Sequence, residues 1–94
     1  MAPHFLVHES GDTVGVVVVE GIEPGQELDG WVMDIDETVT IEATDPIPLG
    51  HKIALMDFGD GDTVIKYGHD IGKVVEPCAK GGHIHVHNMK TKRW

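Results

Sequence analysis

Apolar residues in this chain come in short blocks cut off by glycine, proline and acids. Inside the blocks the spacing is two, the period of a strand, rather than the 3.6 of a helix. Residues 38–43 (Thr-Val-Thr-Ile-Glu-Ala) show it most clearly: Val39, Ile41 and Ala43 are expected inward, and Thr38, Thr40 and Glu42 outward. Residues 13–20 instead carry a valine run bounded by Gly11 and Gly21. Valines restricted at χ1 are poor helix formers, so this run predicts a strand buried on both faces. Further strands are predicted over 28–35, 51–56, 63–67, 71–76 and 81–88. Between them, Pro24-Gly25 fits the centre of a type II turn, and Pro46 and Pro48 remove two donors and make 45–50 a rigid crossing loop. Gly59-Asp60-Gly61 reads as a hairpin turn, and Gly68 and Gly72 bracket another tight turn. No segment has helical periodicity with caps at both ends, and no internal repeat or linker is visible. An all-β single domain is predicted over 1–94, with 1–11 as an N-terminal extension and 89–94 as a basic C-terminal tail.

A chain of 94 residues can build one core but cannot deeply enclose a large active site by itself. Charge changes the picture more than length does. The formal net charge is −9 with neutral histidines, which argues against a nucleic-acid partner. All seven Lys and Arg residues follow His51, whereas eleven of the sixteen acids precede it. An anionic ligand is therefore expected to meet the second half of the chain. Cys78 is the single cysteine, so no disulfide within the chain is possible, and a packing role is expected for it. The N-terminus lacks a basic region followed by an apolar one, and no run approaches a membrane span, so a cytoplasmic location without a membrane partner is expected.

The chemistry concentrates in residues 81–88, Gly-Gly-His-Ile-His-Val-His-Asn. On a strand His83, His85 and His87 would share one face while Ile84 and Val86 bury the other, with same-face neighbours roughly 6–7 Å apart. Two such imidazoles can serve a divalent ion if the strand twists, or can simply be solvated.

Three blocks carry a resemblance to a known family: Ile47-Pro48-Leu49-Gly50-His51-Lys52-Ile53-Ala54-Leu55, then Val64-Ile65-Lys66-Tyr67-Gly68 with Ile71-Gly72, then Gly82-His83-Ile84-His85-Val86-His87-Asn88. They occur in order and together resemble the SAF domain of the altronate and galactarate dehydratases. The resemblance implies a β-clip fold of hairpins folded over on themselves. It also implies an elimination next to a carboxylate, on a small anionic hydroxy acid. A free-standing copy of the domain is similar to the small subunit of a two-chain carbon–sulfur lyase, completed by a large dehydratase-like catalytic subunit. A sugar-acid dehydratase subunit and a non-catalytic sugar-acid-binding module are the alternatives.

On this resemblance a divalent metal, Fe2+, would act as a Lewis acid. His85 and His87 are the expected metal ligands or proton-transfer groups, with Lys66 and Tyr67 as further catalytic candidates. His51, Lys52 and Asn88 are the substrate-binding candidates. His51 could equally hold its loop by a hydrogen bond, and Asn88 could simply close a strand. His83 is expected to be solvated.

Overall fold

The structure, a computed structural model, describes residues 2–66 and 69–85, together with the backbone of 89 and 90. Among these residues there are nine strands and no helix, as the period-two pattern predicts. They are β1 (Phe5–Val7), β2 (Val14–Val17), β3 (Glu27–Val32), β4 (Glu37–Glu42), β5 (Lys52–Ala54), β6 (Thr63–Lys66), β7 (His69–Val74), β8 (His83–Ile84) and β9 (Met89–Lys90). Six strands form one sheet in the order β4-β3-β1-β2-β5-β8, and three form a second in the order β6-β7-β9. The stretch expected as an N-terminal extension is integral: β1 lies inside the larger sheet, antiparallel to β2 and parallel to β3. The start of the expected basic tail, β9, pairs with β7.

Two cores use opposite faces of the larger sheet. Phe5, Val17, Leu28, Ile41, Ile47 and Ile53 belong to the first, and Val14, Ala54, Phe58, Val64, Val74 and Ile84 to the second. The central strands serve both. Along β2, Val14 enters the second core and Val17 the first; in β5, Ile53 and Ala54 divide in the same way. This is why the valine run is apolar on both sides. Strand β4 is buried on one side only, and its residues alternate as predicted. The Phe5 ring lies over β2 and β3 where those strands carry glycine. A Cβ on Gly15 would sit 2.7 Å from the ring, and one on Gly30 would collide with it.

Four turns share one construction that sequence identity hides. Ile22, Ile47, Phe58 and Cys78 are each buried, and each is followed three residues later by a glycine with positive φ: Gly25, Gly50, Gly61 and Gly81. In each, the residue after the glycine donates its N–H back to the carbonyl three residues earlier, as in Gln26 to Glu23 at 3.2 Å and Gly82 to Ala79 at 2.8 Å. The turns interlock in pairs. Ile22 bridges Ile47, and Phe58 bridges Cys78. Gly25 N–H donates to the Ala43 carbonyl and Gly50 N–H to that of Val17, while Gly61 donates to Val74 and Gly81 to Ala54. Each turn thus caps the strand that leads into its partner turn. The chain is a duplicated clip whose two units hold the hairpins β3–β4 and β6–β7 and share β5 between them.

Three predicted elements differ from what forms. The turn at 59–61 closes no hairpin, because β5 and β6 lie in different sheets; its glycine belongs to the clip. Residues 69–72 are in β7 rather than in a turn, and the pairing shifts register between Val64 and Ile65. Of the predicted strand over 81–88, the described residues 81–85 are strand at His83 and Ile84 and bend at His85, and β9 lies in the other sheet.

Candidate functional site

Strand β8 is anchored by the clip before it and by Ile84, which is fully buried in the second core. That burial is worth about 1.5–3 kcal/mol and leaves the odd-numbered positions on the other face. His83 stands opposite Ile53, and Ile84 opposite Lys52. The imidazoles meet there. His51 Nδ1 lies 2.8 Å from His83 Nε2, within hydrogen-bond distance, so one ring donates and the other accepts. The His51 and His85 rings stack at 3.8 Å between centroids with 19° between planes. His83 and His85 are 6.1 Å apart and nearly parallel, as expected for alternate residues of one strand. His51, His83 and His85 are all half-buried.

Asp45, a residue without a sequence signal, positions this group. Its Oδ2 accepts the His83 backbone N–H at 3.0 Å, tying the crossing loop to the start of β8. The same carboxylate helps push the Cys78 thiol up from its ordinary range, although burial is the larger cause. Cys78 is buried and belongs to the second core, which fits the packing role.

The remaining candidates divide. Lys52 alternates with His51 and Ile53, so it points to the opposite face of β5, on the side of Ile84. Burial holds its ammonium below the ordinary lysine range, and the nearby Lys66 adds to that by like-charge repulsion. The two lysines together add positive potential on this side of the chain. The structure therefore brings His51, His83 and His85 together on one face, and Lys52 and Lys66 together on the other. His83 was expected to be solvated and is instead central; its position with His85 on the alternating face was the signal for it. Tyr67, His87 and Asn88 lie outside the described residues.

Of the two expected metal ligands, His85 is described and His87 lies outside the described residues. The imidazoles meet nitrogen to nitrogen and face to face rather than converging on a point, and among the described residues no three imidazole, carboxylate or thiolate groups are grouped to hold an ion.

The family model of the altronate/galactarate dehydratase SAF domain matches residues 3–92. The chain is 57% identical over 94 residues to the (2R)-sulfolactate sulfo-lyase subunit alpha of Chromohalobacter salexigens, covering 100% of both chains. It is 62% identical over 48 residues to the subunit of the same name from Paracoccus pantotrophus, covering 51% of this chain and 72% of that one. It is also 38% identical over 91 residues to the altronate dehydratase of Bacillus subtilis, which is 97% of this chain but 17% of the dehydratase.

Proposed function

The chain belongs to the altronate/galactarate dehydratase SAF-domain family, and on that premise we propose that it is the small subunit of a (2R)-sulfolactate sulfo-lyase. The observation that carries this is the 57% identity running end to end through both chains. The reaction removes the proton from the carbon bearing the hydroxyl and the carboxylate, and the electron pair of that C–H bond expels sulfite from the next carbon. The resulting enol takes up a proton to become pyruvate. Sugar-acid dehydration has the same first step with a β-hydroxyl leaving, so one scaffold serves both eliminations.

The reaction needs a group to take a proton and cations for two anionic ends. On this reading His51, His83 and His85 are the chain's proton-handling group. The nitrogen-to-nitrogen contact lets a proton gained by His51 or His83 be shared between those two rings, and His85 stacks on His51. Lys52, a substrate-binding candidate by sequence, lies on the opposite face of β5 from the imidazoles; on this reading it and Lys66 hold anionic groups of the partner that frames the pocket. The divalent ion is ferrous iron by family resemblance, and His85 and His87 are the ligands this chain would offer it beside those of the large subunit. When bound, it supplies Lewis-acid polarisation of the substrate oxygens.

The test is reconstitution. The purified chain is mixed with a large dehydratase-like chain of its own organism and (2R)-3-sulfolactate, and sulfite and pyruvate are measured. Equimolar sulfite and pyruvate from the pair, with neither chain active alone, is the expected result. Dehydration of altronate or galactarate without sulfite release would replace the substrate and keep the subunit role. Turnover by the large chain alone at the full rate would remove the catalytic role.

A further inference from the structure

Half of the second face of the larger sheet is uncovered. Thr38, Trp31, Leu6, Val16, Lys52 and Ile84 line up as one row across it. At one end of the row Ile84 is buried in the second core. Toward the other end Trp31 is 38% exposed, Val18 beside the row is 39% exposed, and Leu6 and Val16 are only half-buried. A groove of about 440 Å³ opens on this half, lined by Pro3, Asp29, Gly30, Trp31, Asp36 and Thr38. The indole is held in place, because its Nε1–H donates to Asp36 Oδ1 at 2.9 Å. An exposed tryptophan fixed beside a groove, with apolar neighbours and a polar rim, is the anatomy of a protein contact.

We infer that this face is where the large subunit docks, an inference that rests on the two-subunit reading above. Three observations select that occupant. The matching segment is only 17% of the Bacillus dehydratase, so in that relative the domain is one part of a far longer chain. The sulfo-lyase subunit of Chromohalobacter salexigens is matched along its whole length, so on the two-subunit reading the face that the longer dehydratase chain covers is met by a separate subunit. Charge excludes a second copy of this chain: residues 1–50 hold eleven acids and no Lys or Arg, and Asp29 and Asp36 line the groove itself. Two such faces repel, whereas a partner with Lys and Arg around an apolar centre complements them.

The third observation is continuity with the imidazoles. The Val17 carbonyl accepts the Gly50 N–H at 2.8 Å, and the Val17 N–H donates to the His51 carbonyl at 2.9 Å. Val18 and the 51%-exposed Leu49 therefore sit at the strand end that carries His51. Exposed apolar residues thus occur both at Trp31 and at the end of β2 beside His51. A partner seated on Trp31 reaches the histidines around that end.

The experiment measures association of the purified chain with the large chain of its own organism by calorimetry. Trp31→Glu and Val18→Glu are compared with Met56→Glu, an exposed apolar residue beyond the end of β5 that does not line the groove, and each variant's fold is checked by circular dichroism. Trp31→Glu and Val18→Glu are expected to weaken association at least about tenfold, equivalent to 1.4 kcal/mol, with Met56→Glu within about twofold of the wild type. Association that weakens with added salt supports the charge argument. Wild-type association with both face variants undiminished overturns the docking surface alone. No association between the wild-type chains overturns the two-subunit reading and the inference with it. Sedimentation showing a dimer of this chain alone that Trp31→Glu dissociates would give the face to a second copy.

Discussion

His51 and His83, 32 positions apart in the chain, meet through their ring nitrogens at 2.8 Å. The contact joins the end of the crossing loop to the edge strand and places one imidazole where it can take a proton while the other shares it. In the reconstituted lyase, His51→Ala and His85→Ala are each expected to lower kcat by about 10²–10⁴, the usual worth of a positioned acid or base, without loss of subunit association. His51→Gln keeps a donor and an acceptor but cannot take up the proton. Failure of Gln to restore sulfite release marks proton transfer, and its recovery to near the wild-type rate would reduce His51 to a loop anchor.

Lys52→Met is expected to stabilise the chain and to impair the lyase. Folding lowers the pKa of Lys52, so the folded state resists its charge. The penalty is full where the amine is charged in both states, and it fades as pH rises from the folded value toward 10.5, the ordinary lysine value. Thermal melts at pH 7 should therefore show a Tm for Lys52→Met above that of the wild type, by an amount that solvent screening of the partly exposed amine keeps small. Association with the large chain should weaken about tenfold, because a charged hydrogen bond is worth about 1.5–3 kcal/mol. A lower Tm would show that Lys52 is held by a favourable partner and is not under strain.

Gly30→Ala is expected to destabilise the fold by about 1–3 kcal/mol through overpacking against Phe5. Phe5→Leu costs stability alone, but in the Gly30→Ala background it should recover part of the loss. A double-mutant cycle by urea denaturation reads the coupling. Additive effects would mean that the two side chains do not compete for the same space.

Two clip glycines separate backbone strain from crowding. Gly50 and Gly81 have φ of 85° and 87°, but a Cβ on Gly50 meets nothing within 4 Å, while one on Gly81 collides with the Glu42 carbonyl. Gly50→Ala is expected to cost about 1–2 kcal/mol, the penalty of the left-handed region. Gly81→Ala should cost clearly more and, because Gly81 leads into β8, should also reduce sulfite release. Equal melting temperatures for the two variants would contradict this ordering.

Much of the all-β fold was legible because burial follows local alternation: Val39, Ile41 and Ala43 turn inward, and the valine run serves two cores. The duplicated clip was not. Its turns read Ile-Glu-Pro-Gly, Ile-Pro-Leu-Gly, Phe-Gly-Asp-Gly and Cys-Ala-Lys-Gly, sharing only an apolar start and a glycine, which is all that the backbone requires of them. The parallel pairing of β1 with β3 leaves no local trace either, since register across a long connection is set by packing. At the site, alternation indicated that His83 and His85 share a face. That His51 joins them while the adjacent Lys52 faces away depended on the pairing of β5 with β8, and the bond from the His83 N–H to Asp45 spans 38 positions.

The reciprocal clips also dictate where this architecture can change in length. Every clip turn terminates a strand that belongs to another turn, so an added residue there would misalign two distant segments at once. The far end of the β3–β4 hairpin engages no clip turn: Met33 N–H donates to the Val7 carbonyl at the end of β1 at 2.8 Å, and residues 34–36 lie beyond it. Relatives of different size should carry their insertions at that tip, while the spacing from each buried apolar residue to its glycine stays fixed at three.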